Sequence, residues 1–300
     1  MSDTVTLPFS VFALLCVLAV WAVFSSLFIP SVRWYLRRRV RHAINELNTH
    51  LQLKIQPFKL TKRQVLIDRL VYNPDVLKAV ETHAEQSGQP RDEVMARVNI
   101  YAREIVPSFN AYIYFRPGYA LARIIVNFLY RVRLCYADEE GLSKVGPNVS
   151  VVFIMNHRSN VDYILIAYLA AKHSALSYAV GEWARIWPLQ TLIKSMGAYF
   201  IRRNSGDQLY RKVLASYVAM ATAGGVAQAL YPEGGLTRDG KLQPLKLGLL
   251  GYILAGYNQD NGRDLVFIPV GLNYDRTLED RSLVQRLATD AGKKSGLRAL

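Results

Sequence analysis

Leu7 to Ile29 is a run of 23 residues without a charge, bounded by Pro8 near one end and Pro30 at the other. As a helix at about 1.5 Å per residue it reaches roughly 34 Å, enough to cross a hydrocarbon core. Arg33, Arg37, Arg38, Arg39 and Arg41 follow at once, whereas the short segment before it carries only Asp3. The positive-inside rule then puts the N-terminus outside and the bulk of the chain in the cytoplasm. A cleaved signal peptide wants a basic start, a shorter apolar core and a small-residue cleavage site, and these flanks lack them. An interfacial or re-entrant segment is a further use of such a run; the expectation is a retained single-pass anchor.

From Arg33 to Arg69 ten Lys or Arg face only Glu46 and Asp68, so this stretch supplies net +8 of a formal +14. Such a balance in a chain that is 51% hydrophobic points to anionic partners. Next to a span, the cluster reads as a site for anionic membrane lipids. No zinc-finger spacing or RNA-binding aromatic signature accompanies it, so no nucleic acid is expected. Cys16 lies inside the apolar run and Cys135 far from it, which gives neither a disulfide framework nor a metal cluster.

Asn73-Pro74-Asp75 is a helix start, with Asn73 as cap, Pro74 in the first turn and Asp75 complementing the dipole. That helix stops near Gly88, and a second opens at Pro90, Asp92 and Glu93 and runs to about Val106. Ala111 to Leu134 interleaves aromatics with Arg116, Arg123, Arg131 and Arg133 and breaks at Pro117-Gly118 into two pieces. It either lies in the head-group plane or packs on the domain with its arginines in water. The expected divisions are an anchor at 1–32, a basic juxtamembrane segment at 33–70, a helical region at 71–140 and an α/β domain at 141–300.

In that last part strand-like and helix-like runs alternate. Strands are expected at Val149–Met155, Leu176–Val180, Ala198–Arg202, Val226–Tyr231 and Leu265–Val270. Helices are expected at Val161–His173, Trp183–Ser195, Asp207–Thr222 and Leu247–Tyr257. The pattern predicts an α/β fold, a mostly parallel sheet flanked by helices.

Four strand ends carry candidate chemistry. After the first come Asn156-His157-Arg158-Ser159-Asn160, with Asp162 five residues past His157. A carboxylate there can hold one ring nitrogen and leave the other as a base. The spacing alone is common, and Asn156 and Ser159 also suit turn and cap positions. The second end is Phe200-Ile201-Arg202-Arg203, where paired guanidinium groups suit a phosphate. The third is Pro232-Glu233-Gly234-Gly235-Leu236-Thr237-Arg238-Asp239-Gly240-Lys241, an acid, two glycines and several cations. The fourth, Ile268 to Tyr274, lines the same edge or is plain core strand.

Together these blocks resemble the glycerolipid acyltransferase family, over about Val149 to Tyr274. Its members carry Asn-His-x4-Asp, Gly-x-x-Phe-Ile-x-Arg, Pro-Glu-Gly and a late Pro-containing strand. His-Arg-Ser-x-x-Asp-Tyr, Phe-Ile-Arg-Arg and Glu-Gly-Gly look most like the glycerol-3-phosphate acyltransferases; Pro232 is shared with the lysophosphatidate acyltransferases, and Leu236 departs from a frequent family arginine. The resemblance implies His157 and Asp162 as the catalytic pair and acyl transfer from acyl-CoA or acyl-carrier protein to glycerol-3-phosphate, without a metal or other cofactor. It implies substrate contacts at Asn156, Ser159, Arg202, Arg203, Glu233, Gly234, Gly235, Thr237, Arg238 and Lys241. Glu233 binds a glycerol hydroxyl or organises its loop, and amides near Gly234 or Gly235 face the oxyanion. A lysophosphatidate acyltransferase, a thioester hydrolase and a non-catalytic membrane scaffold stand as the alternatives.

Overall fold

The computed structural model describes residues 8–51, 53–135, 137–171, 173–181, 184–202, 205–237, 239–258 and 262–281. The chain divides into two compact units, 1–50 and 51–300. The first holds one long helix, α1 (Phe9–His50). Pro30 does not end it, although proline forfeits one ladder hydrogen bond. Within α1, Phe9–Val32 is long and apolar enough to cross a membrane.

The second unit opens with helices in the stretch that reads as basic and juxtamembrane: α2 (Pro57–Leu60) and α3 (Arg63–Val71). The expected helical pair follows as α4 (Pro74–Ser87) and α5 (Arg91–Ile105). The Asn73 side chain accepts from the Asp75 amide at 3.0 Å, and Gly88 ends α4 with φ +67°, where a side chain would be strained. Next come α6 (Ala111–Ile113), a widened turn at Tyr114–Gly118 that accommodates Pro117, α7 (Tyr119–Leu129) and α8 (Glu139–Ser143).

Then the α/β alternation runs β1 (Val149–Met155), α9 (Asp162–Ala170), β2 (Ser177–Val180), α10 (Leu189–Ser195), β3 (Tyr199–Phe200), α11 (Gln208–Ala223), β4 (Gln228–Leu230), α12 (Gly248–Ala255) and β5 (Asp264–Val270). The five strands form one sheet in the order β3-β2-β4-β1-β5, every pairing parallel. β1 pairs β5 from Val149 with Asp264 to Met155 with Val270. Several elements are shorter than the sequence pattern predicts. β3 keeps two residues of an expected five, and α10 starts at Leu189 because Pro188 bars helix before it.

Both sheet faces are covered, as parallel sheets require. Along β1, Val152 packs into a core with α3, α4, α5 and α11. Val151, Phe153 and Met155 face the opposite core with α9 and Val126 of α7, following the period of two. The helices at 63–105 therefore share a core with the sheet and do not stand as a separate domain. Because all strands run the same way, every strand end carrying a candidate motif opens on one edge, where open α/β sheets place their sites.

Candidate active site

β1 delivers His157 to that edge and α9 begins with Asp162, so the five-residue turn folds back on its own carboxylate. His157 Nδ1 lies 2.8 Å from Asp162 Oδ2, and both residues are buried, at 1% and 0% exposure. The Arg158 and Ser159 amides donate to the same Oδ2 at 2.7 and 3.0 Å, and the Tyr274 hydroxyl donates to Oδ1 at 2.5 Å. An acceptor ringed by donors assigns the proton to Nδ1 and leaves Nε2 as the acceptor of the imidazole. The ring lies against Tyr231 at 4.4 Å between centroids and meets Tyr163 edge-on at 5.2 Å.

Tyr274 belongs to the fourth strand end, and its contact with Asp162 spans 112 residues. Burial, with the Asp162 carboxylate beside it, pushes the Tyr274 phenol far above its ordinary range, so it is a hydrogen-bond donor at any assay pH. Burial likewise raises the Tyr231 phenol, with Asp162 adding to it, and its hydroxyl has no partner among the described residues.

The loop after β4 straps the turn. Glu233 Oε1 accepts from the His157 amide at 3.2 Å and Oε2 from the Gln243 amide at 3.0 Å. The Thr237 amide donates to the His157 carbonyl at 2.9 Å, and the Thr237 hydroxyl donates to the Lys241 carbonyl at 2.6 Å. Gly234 turns at φ +64°, and a Cβ there would meet Lys246 at 2.8 Å. From the other side, Glu279 accepts from the Ser159 hydroxyl at 2.7 Å and the Asn160 amide at 2.9 Å.

These bonds give partners within the protein to several of the residues expected at the substrate. Asn156 spends both ends of its amide on the Leu272 backbone, donating at 2.8 Å and accepting at 2.7 Å, so it pins β1 to the end of β5. Ser159, fully buried, is committed to Glu279 and to the Val161 amide. Each Glu233 oxygen accepts from an amide, so the side chain organises the loop. Thr237 is 3% exposed and turned inward, and the Gly234 amide is spent on the Tyr231 carbonyl. The Gly235 amide, like that of Leu236, has no acceptor among the described residues. Lys241 is exposed, and Arg158 reaches across to donate to the Gly240 carbonyl at 2.7 Å.

Arg202 is not a free phosphate ligand. It pairs bidentately with Glu104 at 3.0 and 2.7 Å, and Arg185 joins the same carboxylate. Burial alone would raise the Glu104 carboxyl, but hydrogen bonds from Arg202 and Arg185 outweigh it and hold it below the ordinary carboxylate range. Arg202 also follows β3, three strand positions from β1, or about 14 Å at the usual spacing. Arg203 and Arg238 lie outside the described residues. Among the described residues no group of three or more His, Cys, Asp or Glu is placed to hold a metal ion.

His157 and Asp162 thus form a buried pair at the carboxyl edge of a parallel sheet, strapped by a glycine-containing loop, an arrangement in which an imidazole can serve as a base with no serine nucleophile. Residues 136–273 match the family model described as Acyltransferase. Among similar proteins, the glycerol-3-phosphate acyltransferase of Xanthomonas campestris pv. campestris is 27% identical over 241 residues, 79% of this chain and 27% of that protein. The glycerol-3-phosphate acyltransferase of Pseudoalteromonas atlantica is 29% identical over 242 residues, 79% of this chain and 30% of that protein. The chain thus spans less than a third of the length of these relatives.

Proposed function

We propose that this chain transfers a fatty acyl group from an acyl thioester, carried by CoA or an acyl-carrier protein, to a hydroxyl of glycerol-3-phosphate, giving lysophosphatidate at a membrane. The observation that carries this reading is the 2.8 Å contact between His157 and a four-donor Asp162 at the sheet edge. The names of the relatives support the acceptor. Phe9–Val32 supports a bilayer location, with the catalytic domain on the arginine-rich, cytoplasmic side.

Nε2 of His157 takes the proton of the acceptor hydroxyl as its oxygen attacks the thioester carbonyl. The Gly235 and Leu236 amides, which have no acceptor among the described residues, are backbone groups that can donate to the tetrahedral oxyanion. On collapse the C–S bond breaks, and the imidazolium returns its proton to the departing thiolate, so free thiol and ester result. No acyl-enzyme is needed because the thioester is already activated. Arg158 and Lys241 are the described cations nearest in sequence to the turn and loop and serve the phosphate; Arg238, next to Thr237 in the same loop by sequence, is a further cation for it.

The test supplies the full chain, purified in detergent, with labelled glycerol-3-phosphate and separately with labelled lysophosphatidate, each with either thioester. Labelled lysophosphatidate is expected from the first. Product from lysophosphatidate alone would move the activity to phosphatidate synthesis, and free fatty acid without either acceptor would make it a hydrolase. His157→Ala and Asp162→Asn should each lower turnover by about 10²- to 10⁴-fold. Turnover like the parent in either removes the general base.

A further inference from the structure

The outward face of α7 is apolar, rimmed by arginine and free of acid. Leu121, Ile124 and Phe128 recur at i, i+3 and i+7 and are 43%, 66% and 86% exposed, while Ala122 and Val126 on the inner face are buried. Arg116 and Arg123 border this stripe, and Arg131 and Arg133 follow it, exposed beside Val132 and Leu134. No Asp or Glu occurs between Glu104 and Asp138. The stripe also adjoins the site: α7 packs on α9, which begins with Asp162, and directly after α7 Tyr130 meets Tyr274 at 5.2 Å between centroids.

We propose that this stripe is seated in the head-group region of an anionic bilayer, a contact separate from the Phe9–Val32 span, and that it brings the edge bearing His157 and Asp162 to the leaflet surface. Charge selects the occupant. Anionic lipid meets four arginines with opposite charge while its acyl boundary takes Leu121, Ile124 and Phe128. A second copy of this chain would bring like arginines face to face across a two-fold axis, which is unfavourable. The contact gives purpose to lipid-directed acyl transfer and rests on that reading for its role; the position of the stripe is measured without turnover.

The experiment uses the full chain with Cys16→Ser and Cys135→Ser, labelled with an environment-sensitive fluorophore through Phe128→Cys or, as control, Ile100→Cys, which is 59% exposed on α5. Each is reconstituted into vesicles of phosphatidylglycerol mixed with phosphatidylcholine, and of phosphatidylcholine alone, with spin-labelled lipid as quencher. The label at 128 should shift to the blue and be quenched several-fold more than that at 100, most in the anionic vesicles. Leu121→Glu with Ile124→Glu should abolish the quenching at 128 while turnover of soluble substrates in detergent stays within about twofold, which separates lost docking from lost folding. Equal quenching at 128 and 100 overturns the proposal. So does protection at 128 that grows with protein concentration without lipid quenching, since a second copy then covers the stripe. Quenching at 128 in a protein that transfers no acyl group would leave the docking standing and remove only the activity proposed above.

Discussion

Four donors converge on the Asp162 carboxylate, and only one belongs to the imidazole. Two are backbone amides fixed by the turn, so the Tyr274 hydroxyl is the one that substitution can delete alone. A hydrogen bond to a charged group contributes about 1.5–3 kcal/mol. If it holds Asp162 in line with the imidazole, Tyr274→Phe should lower kcat by about 10- to 100-fold with KM little changed. Steady-state kinetics check this, and a parent-like kcat would make Tyr274 simple packing. Asn156→Ala should instead act on stability, because it unpins Leu272, and lower Tm by several degrees with the dyad's chemistry retained. At this scale the sequence exposed what is local: His157 and Asp162 lie five apart and share one turn. It placed Leu272 and Tyr274 in a block at the same edge without assigning either a partner, and it gave no sign of Glu279; their bonds to that turn reach across 112 to 120 residues and leave no periodic trace.

Among the elements, α2 and α3 show why charge density misled. Ten cations between Arg33 and Arg69 read as one lipid-facing run, yet two of them turn inward. Lys59 is 7% exposed, donates to the Ala175 carbonyl at 2.7 Å and lies 4.6 Å from the Phe109 ring centroid. Arg63 donates to the Val106 carbonyl at 3.0 Å and to that of Arg103, tying α3 to α5. Burial holds the Lys59 ammonium well below its ordinary range. The unfolded chain therefore binds the extra proton between the folded and unfolded values, and stability rises with pH across that window. Lys59→Met should raise Tm at neutral pH and flatten the rise toward pH 10 that the parent shows in thermal melts. A Tm lowered at every pH would mean that the Ala175 bond outweighs burial of the charge. Helix boundaries were easier to read, since Asn73, Pro74 and Gly88 act within their own turns. The shortness of β3 was not, because pairing is decided by β2 and not by residues 198–202.

For the molecule as a whole, the parallel sheet is what brings the distant blocks to one edge, and the alternation of runs made that architecture legible. The Glu104 cluster, which closes the edge beside β3, was not legible, because its acid lies in α5 and its arginines follow β2 and β3. Its carboxyl sits below the ordinary range, so its contribution is present above the unfolded value near pH 4 and is lost as pH falls through the lower folded one. Glu104→Gln should cost about 2 kcal/mol at pH 7 and leave a shallower loss of stability on acidification, read by denaturant titration at pH 3 to 7. At 1% exposure, the imidazole is also shut away from bulk solvent beneath the Glu233 strap. Water is the most abundant rival nucleophile for a thioester, and a base it cannot reach will not recruit it. On the acyl-transfer reading proposed above, loss of an activated acyl donor to water should therefore be slow.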